Sequence, residues 1–195
     1  MTGVDPSPTM LAKARATTQG VTYVESSFEA FPEDQVYDLI LSNAAIQWMP
    51  DHRAVFAKLR RLLAPGGALL VQMPHNYGEP SHRLAMEEIA GFPEVDAREA
   101  HAVEPLTHYA QILFDLGFGD IDVREKVYLH PMARATQVAD WTRGTFLTEF
   151  EKQMTPERFQ DFVARYEKRL TAHYGPGPCL FLFRRFLLGA RLDPA

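Results

Sequence analysis

The sequence predicts an α/β domain built on a mainly parallel sheet with helices on both faces. Three observations predict it. Apolar runs of strand length alternate with segments of helical period through the first half of the chain. The run Tyr-Asp-Leu-Ile-Leu-Ser at 37–42 has the near-continuous apolar character of a strand buried on both faces, as parallel strands are. The opening Thr2-Gly3-Val4-Asp5 ends on an acid at the head of a helix, the place where nucleotide-binding α/β folds grip ribose hydroxyls.

Each element has its own signal. Ser7 caps a helix that starts at Pro8, the favoured residue for a first helical position, and Met10, Leu11 and Ala14 give it an apolar side. The β-branched run from Val21 to Glu25 reads as a short strand, and Tyr37 to Ser42 as the next. Asp51 caps a helix with Val55, Phe56, Leu59, Leu62 and Leu63 at helical spacing, and Pro65-Gly66-Gly67 stops it. Ala68 to Gln72 is a further buried strand. Leu106 to Leu116 is helical up to Gly117, and Ile121 to Leu129 alternates as a strand. Thr136 to Tyr174 is charged and helix-prone with an aromatic stripe, and reads as a helical lid inserted before the last strand. Phe181 to Leu192 is that strand, expected to run antiparallel at the sheet edge.

Composition narrows the function classes. A length of 195 residues, 46% hydrophobic and 23% charged, suits one soluble domain. The net charge of −5, with both signs interspersed, argues against nucleic acid, which calls for a basic stripe. No run approaches the roughly 20 apolar residues of a membrane span, and no secretory pattern opens the chain. Cys179 is the only cysteine, so no intrachain disulfide or cysteine metal cluster can form, and the expected compartment is the cytoplasm. No metal-ligand grouping stands out among the histidines, and no Gly-x-Ser-x-Gly elbow is present.

Ligands of open parallel sheets bind beyond the carboxyl ends of the strands. Four such ends are visible: Asp5, Ser26-Ser27-Phe28, Asn43-Ala44-Ala45 and Gln72-Met73-Pro74. Asp5 has two readings of equal weight, a ribose acceptor and an Asx-type cap of the following helix.

Leu63-Ala64-Pro65-Gly66-Gly67 before an apolar strand resembles the late turn of class I S-adenosylmethionine-dependent methyltransferases, which have a Rossmann-like sheet. Gly3-Val4-Asp5-Pro6-Ser7-Pro8-Thr9-Met10 resembles their second-strand motif. The stretches from Asn43 to His52 and from Gln72 to His82 are more specific and resemble the trans-aconitate 2-methyltransferase family, as do Asp140-Trp141 and Phe183-Arg184-Arg185-Phe186. The resemblance runs over essentially the whole chain, taken as one domain over 1–195. It implies methyl transfer from S-adenosylmethionine to a carboxylate of trans-aconitate or a similar small polycarboxylate. It implies that Asp5 binds the cofactor ribose, that Met10, Ser27 and Phe28 adjoin the adenine, and that Asn43 and Ala44 lie near the methionine part. Gln47, Trp48 and Tyr77 would face the transfer site. Asn76, His82 on a loop, Trp141, Arg143 and Arg184 would shape the acceptor pocket. Three carboxylates call for arginines, with Arg143, Arg184 and Arg185 as candidates and Tyr128 and His130 behind them.

Two departures from the family pattern stand out. Ser27 takes the place of an acid common at the adenine position. The family's first strand, its glycine-rich turn and first helix have no counterpart, so Met1 is expected to correspond to an internal position of a longer protein, monomeric when whole. Alternatives at this level are another carboxylate acceptor, such as a malonyl thioester, and a non-catalytic remnant of the fold.

Overall fold

A computed structural model of the chain describes residues 1–97 and 103–194. Strand β1 (Thr2–Asp5), helix α1 (Pro8–Thr17) and strand β2 (Thr22–Glu25) form a small unit in which the strands pair in parallel. The Ser7 hydroxyl accepts from the Met10 amide at 3.3 Å, so the cap is the one the sequence signals. Only Leu11 of the helix is buried, and Met10 points to solvent.

The second sheet has the order β3-β4-β6-β5, from β3 (Tyr37–Asn43), β4 (Leu63–Pro74), β5 (Gly119–Met132) and β6 (Cys179–Arg191). β3 and β4 run parallel, while β6 is antiparallel to both of its neighbours. The last strand thus lies inside the sheet, not at its edge. Its alternating side chains need cover on both sides, Phe181 and Phe183 on one face and Phe186, Leu188 and Ala190 on the other. β4 begins five residues earlier than the apolar run suggests, because the chain stays extended through the Pro-Gly-Gly turn with a register slip opposite Tyr37 to Leu39. Gly66 sits at φ 74°, and a Cβ at Gly67 would lie 2.7 Å from the Ala64 carbonyl oxygen.

Helices α2 (His52–Arg61) and α4 (Leu106–Asp115) cover one face. Asp51 caps α2, its Oδ1 accepting from the Ala54 amide at 2.9 Å. On the opposite face, α5 (Thr136–Arg143), α6 (Thr148–Glu151) and α7 (Pro156–Tyr174) pack with α3 (Pro80–Ile89) around Phe150, Phe162 and Tyr166, and rest on Phe181 and Phe183. The segment expected to be helical from Thr136 to Tyr174 is so.

The strand at 37–43 departs from the expectation of burial on both faces. Ile40 packs against α2 and its neighbours, but Leu39 and Leu41 are 56% and 68% exposed, and Leu70 beside them is 46% exposed. Among the described residues no strand pairs with the outer edge of β3. A groove runs between that edge and β1, lined from Thr2 to Asp5 on one side and from Leu39 to Asn43 on the other.

An unpaired strand edge beside an apolar face is a template for association. The chain is expected to self-associate in a concentration-dependent way. Leu41→Lys should weaken that association several-fold with unchanged circular dichroism; equal sedimentation of the two proteins would refute this.

A cofactor cavity and an acceptor face at the strand ends

The carboxyl ends of β1, β2 and β3 meet at a cavity of about 700 Å³, into which the groove opens. Asp5, Ser27, Phe28, Asn43, Ala44 and Trp48 line it. Asp5 serves both of its sequence readings at once. Its Oδ1 accepts from the Ser7 amide at 2.7 Å, as an Asx cap does. Among the described residues its Oδ2 has no hydrogen bond, which leaves one carboxylate oxygen for a ligand hydroxyl.

The wall at Ser27–Phe31 is held from behind. Lys58 of α2 is 8% exposed, and its ammonium donates to the carbonyls of Glu29 at 2.8 Å and Phe31 at 2.6 Å. The same ammonium lies 5.2 Å from the centre of the Phe28 ring. The next wall turns sharply at Ala44, whose φ of 52° is left-handed, a strained setting for a residue with a Cβ. The Ala44 amide donates to the Gln72 carbonyl at 2.9 Å. His52 Nε2 lies 3.0 Å from the Ile46 carbonyl oxygen, and its Nδ1 lies 2.8 Å from the Tyr109 hydroxyl. Helix α2 therefore braces both turns.

Gln47 does not face the transfer site as expected. It is buried, and its Nε2 donates to the Ala44 carbonyl at 2.8 Å, so the side chain folds back on its own turn. Its Oε1 has no partner. Two further buried orphans lie nearby, Gln72 Nε2 and Asn76 Nδ2. Asn76 is tied by its Oδ1 to the Arg184 amide at 2.7 Å. Of the buried side-chain polar atoms without partners among the described residues, these three gather where β3 and β4 end. Buried polar atoms are normally satisfied, so such a cluster calls for partners from water or from a ligand.

Tyr77, His82 and Phe146 form a ring cluster, with His82 and Phe146 centred 4.3 Å apart and Tyr77 5.9 Å from each. His82 lies on α3, not on a loop, and it is buried. Pro80 at the first helical turn was the overlooked signal for that helix. Burial pushes the His82 imidazole down to about 4. It likewise raises the Tyr77 hydroxyl.

Three expected residues stand apart from this assembly. Met10 is exposed on α1 and does not line the cavity. Arg143 is exposed, its guanidinium 5.5 Å from the Phe159 ring. Arg184 is already neutralised, paired with Glu79 and, at 2.9 Å, with Glu125, which also meets His75 at 3.1 Å. A third carboxylate there would face the two already in place. Trp141 packs on His130 at 4.7 Å and on Phe181 at 5.8 Å, and stays 40% exposed. Among the described residues no group of acids, histidines and cysteines is placed to hold a metal, and no helix is long and apolar enough to cross a membrane.

Comparison with known proteins agrees with this layout. The methyltransferase domain family model matches residues 1–71. The chain is 38% identical over 197 residues to trans-aconitate 2-methyltransferase of Methylobacterium nodulans, covering 97% of this chain and 76% of that protein. It is 34% identical over 194 residues to the protein of the same name from Escherichia coli O45:K1, covering 98% and 76%. Among solved structures, phosphoethanolamine N-methyltransferase 2 of Haemonchus contortus, bound to phosphomonomethylethanolamine and S-adenosylhomocysteine, matches the whole chain over 43% of its own length at TM-score 0.56 and 20% identity. The YcgJ protein of Bacillus subtilis matches at TM-score 0.58 and 14% identity, over the whole chain and 82% of its own length. The structural matches establish the fold, and the sequence relatives establish the lineage. The chain belongs to the trans-aconitate 2-methyltransferase family of class I S-adenosylmethionine-dependent methyltransferases.

Proposed function

We propose that the chain transfers a methyl group from S-adenosylmethionine to a carboxylate of a small polycarboxylate of the trans-aconitate type, giving a monomethyl ester. The observation that carries this reading is the single cavity that brings the free Oδ2 of Asp5, the Phe28 ring and the end of β3 together. These residues fit the cofactor: Asp5 Oδ2 would accept from ribose hydroxyls, Phe28 would offer an apolar ring to adenine, and Asn43 and Ala44 would border the methionine part. The relatives that are trans-aconitate 2-methyltransferases support this class of acceptor.

When bound, the cofactor supplies a methyl group on a sulfonium. The accepting carboxylate oxygen is anionic at neutral pH, so this chain need not remove a proton. With the cofactor held there, the methyl group would pass from its sulfur to that oxygen and leave a neutral thioether. The work of the protein is to align the two reactants and keep water away. Trp48 lines the cavity, and in this reading the Tyr77–His82–Phe146 cluster would wall the acceptor side with the 136–174 helices as its lid. The open groove between β1 and β3 favours a second reading, a fold that binds without turnover.

The deciding experiment is a calorimetric titration with S-adenosylhomocysteine, followed by esterification of trans-aconitate. Asp5→Asn keeps an oxygen for the Ser7 cap but loses the free acceptor, so it should weaken binding roughly tenfold or more, at unchanged melting temperature. Unaltered affinity would remove Asp5 from the ribose. Binding without ester formation would favour the second reading.

The pH profile gives an independent check. His82 stays neutral above about 4, and the acceptor carboxylates are ionised well below neutrality. The transfer rate should therefore be flat between pH 6 and 8. A limb near 6.5 would show that an ordinary histidine takes part.

A further inference from the structure

Of the three arginines that chemistry nominates for a polycarboxylate, Arg184 is already paired with Glu79 and Glu125, and Arg143 lies exposed on Phe159, which leaves Arg185. Arg185 lies on β6 opposite Pro74 of β4. Strand alternation places it on the face away from Phe186 and Leu188, the face that also carries Gln72 of β4 and Asn43 of β3. Asn43 and Gln72 are direct partners in the register, and Asn43 lines the cofactor cavity. The row Asn43, Gln72, Arg185 thus leads from the cavity across three strands.

The guanidinium of Arg185 lies over aromatic rings, 4.8 Å from the centre of Phe183 and 5.9 Å from that of Tyr128. One Nη1 donates to Gln72 Oε1. Among the described residues it has no ion pair. That bond also fixes the Gln72 amide, turning its Nε2 away with no acceptor of its own. Trp141 closes the side, 6.2 Å from Phe183, with His130 packed on it at 4.7 Å. The result is a patch of hydrogen-bond donors with aromatic walls and no acid, next to the proposed transfer site. A carboxylate matches it, because the remaining guanidinium edge presents paired N–H groups to both oxygens.

We propose that Arg185, oriented by Gln72, anchors a carboxylate of the acceptor that is not methylated. A carboxylate gripped by two N–H groups is a weaker nucleophile, so the anchored group is protected while a second one, nearer the cavity, reacts. The assignment rests on the polycarboxylate reading above and adds a requirement to it: the acceptor must carry at least two carboxylates.

The test needs no cofactor. In a Trp48→Phe background, fluorescence from Trp141 is titrated with propane-1,2,3-tricarboxylate, and S-adenosylhomocysteine is titrated separately by calorimetry. Saturable tricarboxylate binding is expected, weakened roughly ten- to hundredfold by Arg185→Met. Arg185→Lys, which keeps the charge but not the fork, should fall between the two. S-adenosylhomocysteine affinity should be the same in all three. Tricarboxylate binding unaffected by Arg185→Met overturns the anchor while leaving the acceptor class intact. Loss of S-adenosylhomocysteine binding in Arg185→Met would show collapse of the fold and also overturn it. Absence of any tricarboxylate binding in a chain that binds S-adenosylhomocysteine overturns the anchor and leaves the cofactor reading standing.

Discussion

Strand β6 is the beam on which both cores hang. Its side chains alternate, Phe181 and Phe183 reaching into the helical layer of α3 and α5–α7, and Phe186, Leu188 and Ala190 into the layer of α2 and α4. A strand of period two serves two apolar layers when helices cover both faces of the sheet, as they do here. Its register then fixes everything beside it. Pairing with β4 sets Gln72 opposite Leu187 and Pro74 opposite Arg185, and pairing with β5 sets Tyr128 opposite Phe183. A slip of one residue would put every arginine and every phenylalanine on the wrong face.

Much of this was legible in the sequence because the signals are local. The Ser7-Pro8 and Asp51 caps, the stop at Gly117 and the aromatic stripe of 136–174 are each decided within a few residues, whereas α2 ends at Arg61, ahead of the Pro-Gly-Gly turn expected to stop it, and Leu63 belongs to β4. What escaped was set by partners distant in the chain. The position of the last strand depends on which faces its neighbours leave uncovered. The exposure of Leu39 and Leu41 depends on what lies over them, and an apolar run reads the same in either case. The helix carrying His82 announced itself only by Pro80, inside a stretch otherwise read as motif.

The site followed the same pattern. The strand-end rule gathered Asp5, Ser27, Phe28, Asn43 and Ala44, and the family resemblance added Trp48; all six line one cavity. The three arginines were indistinguishable as letters. Their neighbours separate them: Arg143 lies out on Phe159, Arg184 is spent on Glu79 and Glu125, and Arg185 sits between rings with only an amide oxygen as partner. A charge is a property of its surroundings as much as of its side chain, since an anion already in place cancels what a guanidinium could offer another.

The two grips of helix α2 have a dynamic consequence. His52 and Lys58 are six residues apart, about 9 Å along the axis, and hold the 44–48 turn and the 26–31 turn respectively. Neither turn can open by itself without breaking a buried hydrogen bond. Both walls are thus tied to one helix, so any shift of α2 is passed to the two sides of the cavity at once.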